Sequence, residues 1–160
     1  MWQDFANTLN ELNKTYKTLI ELGKKKHQAL VLVDMKTVEA LLPQEEKLTA
    51  TIAQLEKNRQ NVLLKLAATS EKLGPESKMT DILKLAPAGK TQEILQKLYT
   101  MLQATVQEAR ELSENNAVLI RAAMSAAAYH LNRIGGATVE PAYGKGGEVV
   151  SHRKNFDYNA

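Results

Sequence analysis

Several places in this sequence carry residue types that could make or break bonds. Gly89-Lys90-Thr91 has the closing residues of a phosphate-binding loop. That loop also requires a glycine five positions earlier, where Lys84 stands, and a buried strand before it, for which 82–86 is too short. The triplet therefore reads as a helix start. The histidines, His27, His130 and His152, are scattered without a partner at zinc-binding spacing, and no cysteine assists them. His130 falls on an apolar seam and is expected to be a packed or hydrogen-bonded core residue. Glu45 with Glu46, and Glu108 with Glu111, are pairs of the kind a solvated helix face routinely carries, not a catalytic pair. Gly144-Lys145-Gly146-Gly147 has the look of an anion cradle, but a lone glycine loop is unspecific. No catalytic constellation, metal site or cofactor emerges, so the chemistry to look for is recognition.

Recognition residues concentrate late in the chain. From Gly135 the sequence stops looking helical: six glycines or prolines fall between Gly135 and Gly147. The same tail holds Tyr143, Val149, Val150, Phe156 and Tyr158, isolated anchors on a glycine-rich, flexible segment that would dock onto something. Just before it, between Glu114 and Arg133, the charged side chain is Arg121, with Val118, Leu119, Ile120, Met124, Tyr129 and Leu131 set among alanines. One packed seam needs apolar groups on part of a helix circumference, and this stretch is apolar nearly all round. Either it is buried on several sides, or it keeps a face for a partner.

Long helices must position these residues. Phe5, Leu9, Leu12, Tyr16, Leu19, Leu30 and Val33 hold a four-three seam, weakened at Gly23 and Lys26. Lys24-Lys25-Lys26 is expected to be a solvated, frayed stretch, the alternative being contact with an acidic partner. Asp34 is a candidate N-cap. Pro43 followed by Gln44, Glu45 and Glu46 either starts a second helix or kinks one running from Met35. Leu48, Ile52, Leu55, Val62, Leu66 and Leu73 continue its seam, with Gly74-Pro75 expected to close it. A connector with a short apolar turn at Ile82, Leu83 and Leu85 leads to Pro87-Ala88-Gly89. The last run, from about Thr91 to Asn132, keeps heptad steps through Leu95, Leu102, Thr105, Leu112, Asn116, Leu119, Ala123 and Ala126. The fold class expected is all-α: an antiparallel long-helix bundle with coiled-coil-like heptad packing, residues 1–134, followed by a flexible Gly-rich tail, 135–160.

Composition narrows the function classes. A chain of 160 residues with 24% charged residues and a formal charge of +3 holds one modest domain, and its charges are interspersed as on a solvated helical surface, not clustered as for nucleic acid. The start, Met-Trp-Gln-Asp-Phe, has no signal-peptide pattern, and 117–128 falls short of the ~20 residues of a membrane span. A cytoplasmic location, no nucleic acid and no enzymatic activity are expected.

Several stretches resemble the FlgN family of flagellar type III export chaperones. Leu32-Val33-Asp34 with Val38, Leu41 and Glu45-Glu46 resembles the family's junction between its first two helices. Leu55-Glu56-Lys57-Asn58-Arg59 resembles part of its second helix, and Leu112, Asn115, Asn116, Leu119 and Ile120 its late-helix segment with an Asn pair. Tyr143-Gly144, a glycine-rich turn and Val150-Ser151-His152-Arg153 resemble its tail. The resemblance implies binding to the C-terminal amphipathic helices of hook–filament junction proteins, preventing their early association and delivering them to the export gate, with membrane contact only through the export apparatus. It implies a substrate-helix surface at Leu112, Asn115, Asn116, Leu119, Ile120, Ala123, Met124 and Ala127. It implies Tyr143 as the export-gate docking residue, the other reading being that Tyr143 pins the tail to the bundle. Competing classes are a structural coiled-coil homodimer or tether, which accounts for the heptads but not the tail, a chaperone for the filament-cap protein, and a membrane-surface helix.

Overall fold

The computed structural model describes residues 1–74, 76–135, 139–143 and 149–153, with side chains described up to Gly135. Four helices follow in order: α1 (Trp2–Val31), α2 (Met35–Ala68), α3 (Met79–Leu85) and α4 (Lys90–Gly135). Two strands, β1 (Val139–Tyr143) and β2 (Val149–Arg153), come after them.

α1 is the spine against which both other long helices pack. Its expected seam is real at its N-terminal end, where Phe5, Leu9 and Leu12 are fully buried. α2 runs antiparallel to α1, since Lys26 reaches Glu45 while Tyr16 faces Glu56 and Arg59. α4 runs parallel to α1, because the hydrogen bonds join Asn13 to Thr105 and Gly23 to Asn116. Consecutive long helices thus alternate in direction, and the first and third share one, as an up-down-up bundle requires. α3 closes the lower end, placing Ile82 and Leu83 in one cluster with Phe5, Leu9, Leu66 and Leu95. Gln92 ties the start of α4 to that cap through a 3.0 Å bond from its amide nitrogen to the Leu83 carbonyl.

The boundaries refine the sequence reading in three places. α2 is one continuous helix with Pro43 inside it, and Asp34 caps it by accepting from the Thr37 N–H. Hydrogen bonds from the Thr37 hydroxyl, then from its N–H, hold the Asp34 carboxyl below its ordinary range. α2 ends at Ala68, earlier than Gly74-Pro75. The Thr69 hydroxyl donates to the Leu66 carbonyl at 2.8 Å, an alternative to continuing the ladder, although Leu73 still packs on the core. Lys24-Lys25-Lys26 is not frayed: α1 is unbroken there, and Lys26 crosses to Glu45 at 2.9 Å.

In the tail, β1 and β2 pair antiparallel, Val139 opposite Arg153 and Tyr143 opposite Val149, and β1 lies against α4. β-branched and aromatic residues at 139, 143, 149 and 150 suit a ladder, and Pro141, which has no N–H to donate, is tolerated where every strand is an edge. The glycine loop, Phe156 and Tyr158 lie outside the described residues.

The α1–α2 turn is a Schellman arrangement, with Val33 N–H on the Leu30 carbonyl and Asp34 N–H on the Ala29 carbonyl. Its left-handed position is occupied by Val33, at φ 56°, where glycine is usual. A β-branched side chain there costs roughly 1–2 kcal/mol. Replacing Val33→Gly is expected to raise the unfolding free energy by about 1 kcal/mol, after the extra chain entropy of glycine. Urea denaturation checks this, and an unchanged or lower midpoint would show that Val33 is not strained.

Candidate functional site

The α1–α4 seam fixes what the last helix can offer. Near its middle, the Thr105 hydroxyl lies 2.7 Å from both Asn13 Oδ1 and the Met101 carbonyl, with Asn13 and Thr105 buried. Three helical turns further on, Asn116 is also buried: its Nδ2 donates to the Gly23 carbonyl at 3.0 Å, and its Oδ1 lies 3.1 Å from His27 Nδ1. An amide oxygen only accepts, so His27 Nδ1 carries the proton. Gly23 lets Leu112 approach closely beside them: a Cβ at that position would fall 2.8 Å from a Leu112 methyl, which would have to shift. Between α2 and α4 over this region lies an open cleft of about 380 Å³, whose lining includes Ile20, Lys26, Glu45, Leu112, Asn116 and Ile120. Lower in the bundle, burial and then the Glu56 carboxylate push the Tyr16 hydroxyl above its ordinary value.

Above the cleft the bundle closes again, where Leu119 and Ile120 pack on Ala29, Leu30 and Val38. α1 then ends and α4 does not. Carrying the Gly23–Asn116 register forward sets Val31 level with about residue 124, leaving some 11 residues of α4, ~17 Å of helix, beyond the spine. On this projecting end Tyr129, Leu131 and Ile134 are exposed, Ile134 to 84%. Met124 and Ala123 are half-buried, Ala127 is exposed, and Ala128 is buried on a helix that β1 also touches.

The eight residues expected to hold a substrate helix therefore divide. Leu112, Asn116, Leu119 and Ile120 come together, but on the side of α4 that meets α1 and α2. Ala123, Met124 and Ala127 reach the projecting end, and Asn115 is exposed. Tyr143 lies in β1 opposite Val149, and its side chain lies outside the described residues. His130, expected in the core, is exposed instead, because α1 and α2 do not extend that far. It stacks edge-on with Tyr129, centroids 5.7 Å apart, while the Arg133 guanidinium lies 5.8 Å from the Tyr129 ring centroid and donates to the Tyr129 hydroxyl at 3.2 Å.

Two groups of exposed apolar residues lie outside the substrate surface expected from sequence. Leu131 and Ile134 extend a four-three stripe through Ile120, Met124 and Ala127, a signal present in the sequence as spacing. Val31, Leu32 and Val33 stand exposed at the α1–α2 turn, which no periodicity flagged because the seam itself runs through Val33. Among the described residues, no cluster of His, Asp or Glu could hold a metal ion, and no helix is long and apolar enough to cross a membrane.

These features define an all-α bundle protein with an apolar helix end projecting past its core. Compared with known families, residues 1–151 match the model described as FlgN protein, and the chain belongs to the FlgN family of flagellar export chaperones. No curated protein and no solved structure matches it.

Asn116 is the residue on which the register of α4 turns. Asn116→Ala leaves His27 and the cleft floor without their buried partner and is expected to lower the unfolding free energy by about 1–3 kcal/mol. Urea unfolding measures this; a change below ~0.5 kcal/mol would mean that packing alone sets the seam.

Proposed function

We propose that this protein is a cytoplasmic chaperone that receives the C-terminal amphipathic helices of hook–filament junction proteins, keeps them from associating early, and hands them to the type III export gate. The observation that carries the reading is the end of α4, where Met124, Ala127, Leu131 and Ile134 follow Ile120 in four-three steps, beside the buried seam, and run past the last turn of α1. An apolar stripe at that spacing suits a second helix, and a client helix extends the bundle there in the helix-in-groove mode. Ala123 and Ala127 let the client backbone approach closely, and Met124 adapts to more than one client sequence. Leu112, Asn116, Leu119 and Ile120 support the site from below by holding α4 in register, and Asn115 is free to meet polar groups at the rim. Tyr143, carried on β1 beside α4, is the docking residue for the cytoplasmic domain of the export gate.

Each fully buried Leu, Ile or Met on the client would contribute about 1.5–3 kcal/mol before the costs of association. A carboxylate placed among them removes one such contact and must be desolvated. Met124→Glu is therefore expected to weaken junction-protein peptides at least a hundredfold, ~3 kcal/mol, in calorimetric titration, with thermal stability nearly unchanged. Tyr143→Ala is expected to leave that affinity intact while abolishing capture by the export-gate domain. Failure of wild-type protein to bind either junction peptide, together with a stable dimer in sedimentation, would replace this reading with that of a structural coiled coil.

A further inference from the structure

The α1–α2 turn presents apolar side chains where a mere connection would not. Val31 is 59% exposed, Leu32 77% and Val33 69%, and Met35 follows at 40%. None of the four belongs to the cluster beneath them, which Ala29, Leu30 and Val38 build with Leu119 and Ile120. Val33 also holds the left-handed backbone that glycine would hold without strain. A branched apolar group kept in a strained conformation and shown to solvent points to use as a contact.

The turn and the projecting end of α4 form one surface region. Leu30 and Val38, on either side of the turn, bury Leu119 and Ile120, so the turn stands level with the next α4 turns, those of Ala123, Met124 and Ala127. The charges on this region are of one sign on the helix. From Asn115 to Gly135, α4 carries Arg121 and Arg133 and no carboxylate, and exposed Lys36 lies just past the turn. The carboxylate on the turn, Asp34, is engaged by the Thr37 hydroxyl and N–H. A second copy laid along the stripe would bring no carboxylate to it in either direction, since residues 115–135 carry arginines and no Asp or Glu. The occupant these charges complement is a helix with carboxylates beside its apolar stripe.

Resting on the chaperone reading above, we propose that the α1–α2 turn is the second wall of the client site, and that the client is an amphipathic helix with an acidic rim, seated between Leu32 and Val33 on one side and the end of α4 on the other. Leu32 and Val33 supply apolar contact, Arg121 beside the stripe and Lys36 past the turn pair with rim carboxylates, and the turn sets how far along α4 the client sits.

The test uses the full-length protein with fluorescently labelled probes: the junction-protein C-terminal peptides, and two designed helices sharing one leucine stripe, flanked by Glu in one and by Lys in the other. The Glu-flanked helix is expected to bind about tenfold or more tighter than its twin, the preference shrinking with added salt and reversing in Arg121→Glu/Lys36→Glu. Leu32→Ser/Val33→Gly is expected to weaken the junction peptides about tenfold while melting no lower than wild type, which separates lost contact from lost fold. If that variant binds like wild type while Met124→Glu does not bind, the turn is no part of the site, although the chaperone reading stands. Equal affinity for the two designed helices overturns the acidic rim. If wild type binds none of the probes, both readings fall, and a dimer that Leu32→Ser/Val33→Gly dissociates would assign the surface to a second copy instead.

Discussion

The parallel packing of α4 on α1, held in register by buried polar side chains, is the constraint on which the rest of this structure depends. Apolar seams with heptad spacing slide by one heptad at little loss, since leucine replaces leucine in each hole. Polar groups do not slide. Asn13 meets the Thr105 hydroxyl at one level, and Asn116 meets the Gly23 carbonyl and the His27 ring at another. A shift of either helix would leave the buried Asn13 and Asn116 amides without these partners, a penalty that outweighs the apolar seam's indifference to register. Gly23 adds a steric check, because only a residue without a Cβ accepts Leu112 at that distance.

That register decides what is exposed. α1 spans Trp2–Val31 and α4 spans Lys90–Gly135, so parallel alignment from a common lower end leaves α4 projecting beyond the turn. The lower half is capped by α3 and buries Phe5, Leu9, Leu12 and Leu95 completely, whereas the upper end keeps Tyr129, Leu131, Ile134 and the turn residues in solvent. Tight packing and exposed apolar surface are thus separated along one long axis, the buried cluster at one end and the exposed apolar stripe at the other. A protein that must hold a client helix and later release it benefits from this division, because client binding need not disturb the core. The Lys26–Glu45 ion pair lies between the two halves and ties α2 to α1 where the cleft would otherwise leave them least packed.

Much of the fold was legible in the sequence. The seams marked Phe5, Leu9, Leu12 and Leu30 of α1 and Leu95, Leu102, Thr105 and Asn116 of α4, all of them buried, but also Val33 and Ala126, which are exposed. Asp34 was recognisable as a cap, and the polar interruption at Asn116 was visible before its partners were. The late-helix apolar excess was visible too, with burial and partner-binding left as equal alternatives. Spacing could not say that Leu112 through Ile120 are used inside the bundle while Leu131 and Ile134 are not, because apolar residues at helical spacing continue from one to the other. His130 shows the same limit: it lies on the seam by count, yet the seam has run out of partner helix by that level.

Local sequence determined what local physics can settle: helix-forming composition, the period of the apolar stripe, the cap at Asp34 and the break before α4, each a matter of a few neighbouring residues. It also determined family membership, because the order of short motifs along the chain is itself a sequence property. Tertiary structure alone decided which parts of a uniform stripe are covered, that α2 passes through Pro43 without ending, and that Val33 turns its side chain outward in a left-handed conformation. The reason is that exposure depends on where a partner helix ends, and α1 ends at a position set by contacts some ninety residues away in sequence.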